Sequence, residues 1–62
     1  MPLVDVTWFV GRTEEQKELL ATAISQAFVN IGGALPDTVH VIFRDIDRSQ
    51  WFKSAALLKE ER

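Results

Sequence analysis

Proline stands directly after the initiator methionine in Met1-Pro2-Leu3-Val4. Methionine is generally trimmed when the second residue is small, and proline qualifies. The nitrogen of Pro2 then becomes a secondary amine on a rigid ring instead of an amide. An α-amino group titrates at about 7.7–8.0, and desolvation or a neighbouring cation moves that value down. An amine left neutral at working pH can accept a proton as a general base or attack a carbonyl as a nucleophile. The plainer reading is that Pro2 opens an edge strand, where its missing N–H does no harm.

Five more side chains could serve such a base. Arg12 lies just ahead of a helix cap, where a guanidinium and the amides of a first helical turn would suit a carboxylate; the alternative is a solvated surface arginine. His40 and Arg44 share one face of a later strand. His40 could act as an acid, base or hydrogen-bond group. Alternatively both satisfy carboxylates such as Asp5 or Asp45. Trp51 and Phe52 could wall a pocket and dry it, or pack an interface as adjacent aromatics often do. Asp45, Asp47, Glu60 and Glu61 lack metal-ligand spacing and read as solvated surface, so no metal is expected.

The elements that must position these groups are legible in the pattern. Residues 3–10 are β-branched and aromatic between Pro2 and Gly11 and predict a strand. Val4, Val6, Trp8 and Val10 form one face; Leu3, Asp5, Thr7 and Phe9 form the other. Thr13-Glu14-Glu15-Gln16 matches a capping box, with two acids where the helix dipole favours them. Apolar residues then recur at Leu19, Leu20, Ala23, Ile24, Ala27, Phe28 and Ile31, a helical stripe stopped by Gly32-Gly33. Residues 38–46 predict a second strand, with Val39, Val41 and Phe43 on one face and His40, Ile42, Arg44 and Ile46 on the other. Asp47 to Gln50 reads as a turn, and 54–59 as a short strand or a helical turn.

Strand, helix, strand is a βαβ unit with parallel strands. The fold class is α+β: a two-stranded parallel core sheet, one helix and a short C-terminal hairpin or strand, in a single domain spanning 1–62. The helix stripe is expected to cover one sheet face. The other face, with Leu3, Phe9, Ile42 and Ile46, needs a cover, because two strands and one helix cannot complete a core. With 62 residues, 47% apolar content and no cysteine, disulfides are excluded and association is the remaining means of stabilisation. A symmetric homo-oligomer supplies it economically. Seven basic and nine acidic residues give a net charge of −2 without a basic stripe, which argues against nucleic acid as a partner. No apolar run reaches the roughly 20 residues that span a bilayer, and the N-terminus is not patterned as a secretory signal. A cytoplasmic protein without a membrane partner is expected.

Together these residues resemble the 4-oxalocrotonate tautomerase family. The resemblance is carried by Pro2, the strand ending in Gly11-Arg12-Thr13, the run Glu15-Gln16-Lys17, the helix length, Val39-His40-Val41-Ile42 and the aromatic Trp51. It implies a β-α-β protomer assembled as a homohexamer, a trimer of dimers. It also implies a cofactor-independent isomerase in which Pro2 shuttles a proton during keto–enol isomerisation of small 2-oxo or enol carboxylic acids. Arg12 would bind a substrate carboxylate or polarise its oxygen, and Trp51, with Phe52 adjacent, would supply the aromatic wall.

The chain departs from the family pattern twice. His40 stands where the best-known members carry a second strand arginine, which argues against dicarboxylate substrates. Lys53-Ser54-Ala55-Ala56 replaces a glycine-rich turn, so the C-terminal hairpin is expected to differ. Two other readings stay open: a hydratase or dehalogenase of an unsaturated 3-substituted acid, and a non-catalytic oligomeric member. Intact-mass measurement of the native protein separates enzyme from bystander. The enzymatic reading expects the mass of the chain lacking Met1, and retained Met1 would favour the non-catalytic one.

Overall fold

The computed structural model describes residues 1–54 and 56–57. Strand β1 (Leu3–Phe9) is followed by helix α1 (Glu14–Asn30), strand β2 (His40–Ile46), a turn of 3-10 helix (Arg48–Gln50) and the short strands β3 (Phe52–Lys53) and β4 (Ala56–Leu57). β1 and β2 pair in parallel from Leu3 opposite His40 to Phe9 opposite Ile46. The ladder extends past both strands. At one end the His40 N–H donates to the Pro2 carbonyl (2.9 Å), and at the other the Val10 N–H donates to the Ile46 carbonyl (3.0 Å). The β-α-β architecture with a C-terminal hairpin is the one the sequence predicts.

The link from β1 into the helix depends on Gly11, whose φ of +132° lies where a side chain is strained. The capping box then forms in full. Thr13 Oγ1 accepts from the Gln16 N–H (3.1 Å), and Gln16 Oε1 accepts from the Thr13 N–H (2.9 Å). At the far end Gly33, at φ +75°, lets the Ala34 N–H reach the Phe28 carbonyl (3.1 Å).

The helix meets the sheet through a narrower stripe than its apolar residues suggest. Its half-buried positions are Lys17, Ala21, Ile24, Ser25 and Val29, while Leu19 and Ile31 remain 65% and 87% exposed. A two-stranded sheet is too narrow to cover the whole apolar arc, so the Leu19, Ala23, Ala27 and Ile31 side faces outward. On the sheet, Val4, Val6, Trp8, Val41 and Phe43 are half-buried, whereas Leu3, Asp5, His40, Ile42 and Arg44 are exposed. The strand alternation therefore matches the expected faces. No side chain among the described residues is buried.

The tail is more regular than its sequence implies. The 3-10 turn is capped by Asp47, whose carboxylate accepts from the Ser49 N–H at 3.1 Å and from the Ser49 hydroxyl. Phe52 pairs with Leu57 and Lys53 with Ala56, which makes an antiparallel hairpin. Ser54 takes the positive φ (54°) that a glycine would normally supply there, so the hairpin survives the missing glycines. Of the expected segment 54–59, Ala55 and residues 58–59 lie outside the described residues, as do Glu60 and Glu61.

Thr13→Ala removes one half of the capping box: the Gln16 N–H loses its side-chain acceptor, while the backbone N–H of residue 13 can still donate to Gln16 Oε1. The expected cost is about 1 kcal/mol, read as a lower urea midpoint at constant slope. An unchanged midpoint would contradict the role given to the cap.

Candidate active site

The predicted residues fall at two ends of one strand. Pro2 is half-buried at the start of β1, with Met1 projecting into solvent at 86% exposure. Its carbonyl is pinned by the backbone of His40, so the ring of Pro2 and the imidazole of His40 belong to the same end of the sheet. The His40 side chain is exposed and makes no hydrogen bond among the described residues.

Arg12 lies beyond the other end of β1. From Pro2 to Val10 an extended chain covers about 26 Å at roughly 3.3 Å per residue, so one protomer does not bring Pro2 and Arg12 together. The Arg12 guanidinium lies over the ring of Trp8, 4.6 Å from its centroid, and Nη1 donates to the Phe9 carbonyl at 3.1 Å. Cation–π contact and a backbone anchor thus restrain a long side chain that is otherwise exposed. The Thr13 and Gln16 amides beside it are taken by the capping box, and the guanidinium brings a full positive charge to this helix start.

Trp51 belongs to the Arg12 end as well. Its ring packs against Phe9 with centroids 4.4 Å apart and planes tilted by 51°. Arg48 lies over the same Phe9 ring at 4.5 Å. Phe52, the next residue, is 60% exposed in β3. Adjacent strand residues point to opposite sides, so the aromatic pair divides: Trp51 turns to the sheet and Phe52 away from it.

Two ion pairs decide what other charges are available. Arg44 grips Asp5 through two bonds, Nε to Oδ1 at 2.9 Å and Nη2 to Oδ2 at 3.1 Å. Arg44 is thus engaged with a carboxylate on its own sheet face, one of the two roles its position allowed. Asp45 is not plain solvated surface as its sequence context suggested. Trp8 Nε1–H donates to Oδ1 at 2.7 Å, and Lys17 donates from the helix to Oδ2. Trp8 and Asp45 are register partners across the parallel pair, and Trp8 also stacks on Phe43 at 5.2 Å and 17°. Residue parity was the available signal, since Asp45 shares the helix-facing side with Val41 and Phe43.

These contacts shift titrations in defined directions. The Lys17 hydrogen bond, then that of Trp8, holds the Asp45 carboxyl below its ordinary value, and Asp45 in turn raises Lys17. Bonds from the Ser49 side chain and backbone likewise lower Asp47.

A sequence profile of the family described as "Tautomerase enzyme" matches residues 2–56. The chain belongs to the tautomerase family. A probable tautomerase of Ralstonia nicotianae is 38% identical over 61 residues, covering 98% of this chain and 94% of the relative. One of Lactococcus lactis is 34% identical over 61 residues, covering 98% and 100%. Among solved structures, N2, a member of the 4-oxalocrotonate tautomerase family, is 30% identical with a TM-score of 0.77 over 97% of this chain and 94% of its own. YwhB, a homologue of 4-oxalocrotonate tautomerase, superposes with a TM-score of 0.86 over 98% and 100%; at 24% identity that likeness speaks for the tautomerase fold alone.

The pH dependence of stability follows from the shifts. Asp45 has a folded value below its ordinary 3.8, so its contribution is present above 3.8 and is lost as pH falls through the lower folded value. Lys17 is raised above 10.5, so its contribution is present below 10.5 and is lost as pH rises past the folded value. The pair therefore adds no slope to stability between about pH 5 and 9. Urea midpoints should fall on the acid side below 3.8, less steeply in Asp45→Asn. An acid limb unchanged by that substitution would contradict the pairing.

Proposed function

We propose that this tautomerase-family protein is a cofactor-independent isomerase of small 2-oxo or enol carboxylic acids, with Pro2 as general base once Met1 is removed. The observation that carries this reading is the placement of Pro2. It opens β1, half-buried and anchored through its carbonyl, behind a fully projecting Met1 that an aminopeptidase can reach. The family match begins at the same residue.

In this reading the ring nitrogen takes the enol O–H proton. The electron pair left on oxygen forms the C=O bond, and the enol C=C electrons move to carbon. The Pro2 ammonium then returns the proton to that carbon, so the reaction is a net isomerisation. A guanidinium at the carboxylate and the developing oxyanion lowers the barrier most where water is excluded. Arg12 fits that role, with Trp51 as the wall beside it and Phe52 on the outer side of the hairpin. His40, next to Pro2, fits a hydrogen bond to the substrate oxygen, and its single donor favours monocarboxylates over dicarboxylates.

Because Pro2 and Arg12 lie at opposite ends of β1, the reading requires copies of the chain to join those ends. The exposed apolar residues Leu3 and Ile42 on the open sheet face and Leu19 and Ile31 on the helix support a homo-oligomer, for which a hexamer is the expectation. No described helix is long and apolar enough to cross a membrane. A cysteine-free chain needs no oxidising compartment, which agrees with a cytoplasmic setting. Isomerisation is favoured over hydration because the two strand carboxylates, Asp5 and Asp45, are tied to Arg44 and to Lys17 with Trp8. Neither is left to activate water.

Pro2→Ala keeps a primary amine at the N-terminus. Ketonisation of phenylenolpyruvate should fall by roughly 10²–10⁴-fold in kcat, the range general-base catalysis supplies. Elution volume and urea midpoint should stay those of the parent. Full activity in this variant, or activity in a species eluting as a monomer, would overturn the reading.

A further inference from the structure

Arg12 has an acidic neighbour that does not capture it. Asp45 lies close enough for the Arg12 charge to favour its ionised form. Yet both Asp45 oxygens are taken by other donors: Oδ1 by the Trp8 indole N–H at 2.7 Å, and Oδ2 by Lys17. Lys17 is itself only 18% exposed and lies 3.8 Å from Glu14, so it is held on the helix side of the sheet. Trp8 is fixed from two directions, by its bond to Asp45 and by its stack on Phe43. The guanidinium of Arg12 rests on that ring and uses one N–H on the Phe9 carbonyl. A guanidinium has five such donors, so the rest stay available to a ligand.

The geometry points to Trp8, Lys17 and Asp45 as positioning residues that hold Arg12 in place and keep it from an internal counter-ion, so that its charge meets the substrate oxyanion. Trp8 sets where the guanidinium lies. Lys17 neutralises the carboxylate on which the Arg12 charge acts. This inference rests on the reading of Arg12 as the substrate-anion group.

Without Lys17, Asp45 would keep its charge, lose its cationic partner and be left to attract Arg12, which rests on the Trp8 ring that Asp45 hydrogen-bonds. A charge-assisted pair of that kind competes directly with a substrate carboxylate. The defect should appear in substrate binding and should disappear when the carboxylate is also neutralised. Asn at position 45 still offers an oxygen to the Trp8 N–H but has no charge with which to hold Arg12.

The test measures KM and kcat for phenylenolpyruvate in Arg12→Ala, Lys17→Met and the double variant Lys17→Met/Asp45→Asn, each checked for parental elution volume. Lys17→Met should raise KM by about tenfold, equivalent to 1.4 kcal/mol, with kcat changed much less. The double variant should bring KM most of the way back. If Arg12→Ala raises KM but Lys17→Met does not, the positioning role is wrong and the reading of Arg12 stands. If Lys17→Met raises KM and the double variant fails to restore it, the effect is structural and the inference falls. If Arg12→Ala leaves KM unchanged, both readings fall. Should Lys17→Met not fold, Lys17→Gln, which keeps a donor without the charge, is read in the same way.

Discussion

Strand β1 is extended over seven residues, and an extended strand keeps its ends apart. Pro2 and His40 are fixed at one end by the first rung of the parallel ladder, and Arg12 and Trp51 gather at the other. Among the described residues, no turn folds one end onto the other. The sheet also has no third strand among the described residues, and no side chain among them is buried. These are two faces of one constraint. The protomer leaves its site divided and its apolar surface open, and under the proposed function a single act of association serves both needs.

Charge on the sheet is apportioned so that few groups are left to bind a substrate. Asp5 and Arg44 neutralise each other on the open face. Asp45 and Lys17 do so on the helix face, with Trp8 as a third member. Arg44 is therefore occupied by a carboxylate of its own sheet face. Arg12 differs in being restrained by a ring and a carbonyl, neither of which cancels its charge. Being aimed while still charged is what an oxyanion site needs.

Much of this was legible in the sequence because it depends on local rules. The capping box at Thr13 and Gln16, the stop at Gly32-Gly33 and the two alternating strands follow from spacing alone, and the helix and both strands form within one or two residues of expectation. Pro2 and Arg12 stand out because each sits at an element boundary. Relations across the sheet were less visible. Asp45 reads as surface until the register sets it opposite Trp8, and that register depends on the helical crossover between the strands. The helix stripe is wider than its contact with the sheet, because an apolar pattern tells which residues avoid water, not how wide the surface beneath them is. Trp51 and Phe52 look equivalent as a pair; only the strand geometry of β3 separates them. Ser54 gave no turn signal, yet it adopts a conformation usually left to glycine.

A site built from two copies can be tested by mixing two impaired proteins. Under the proposed function, Pro2→Ala and Arg12→Ala each impair every site of their own homo-oligomer. Unfolded together and refolded, they should form mixed assemblies in which some sites draw an intact Pro2 from one chain and an intact Arg12 from the other. Random pairing should then restore roughly a quarter of the parental phenylenolpyruvate activity. A refolded mixture no more active than its separate components, with mixed assemblies verified by mass, would mean that base and anion site do not meet between chains.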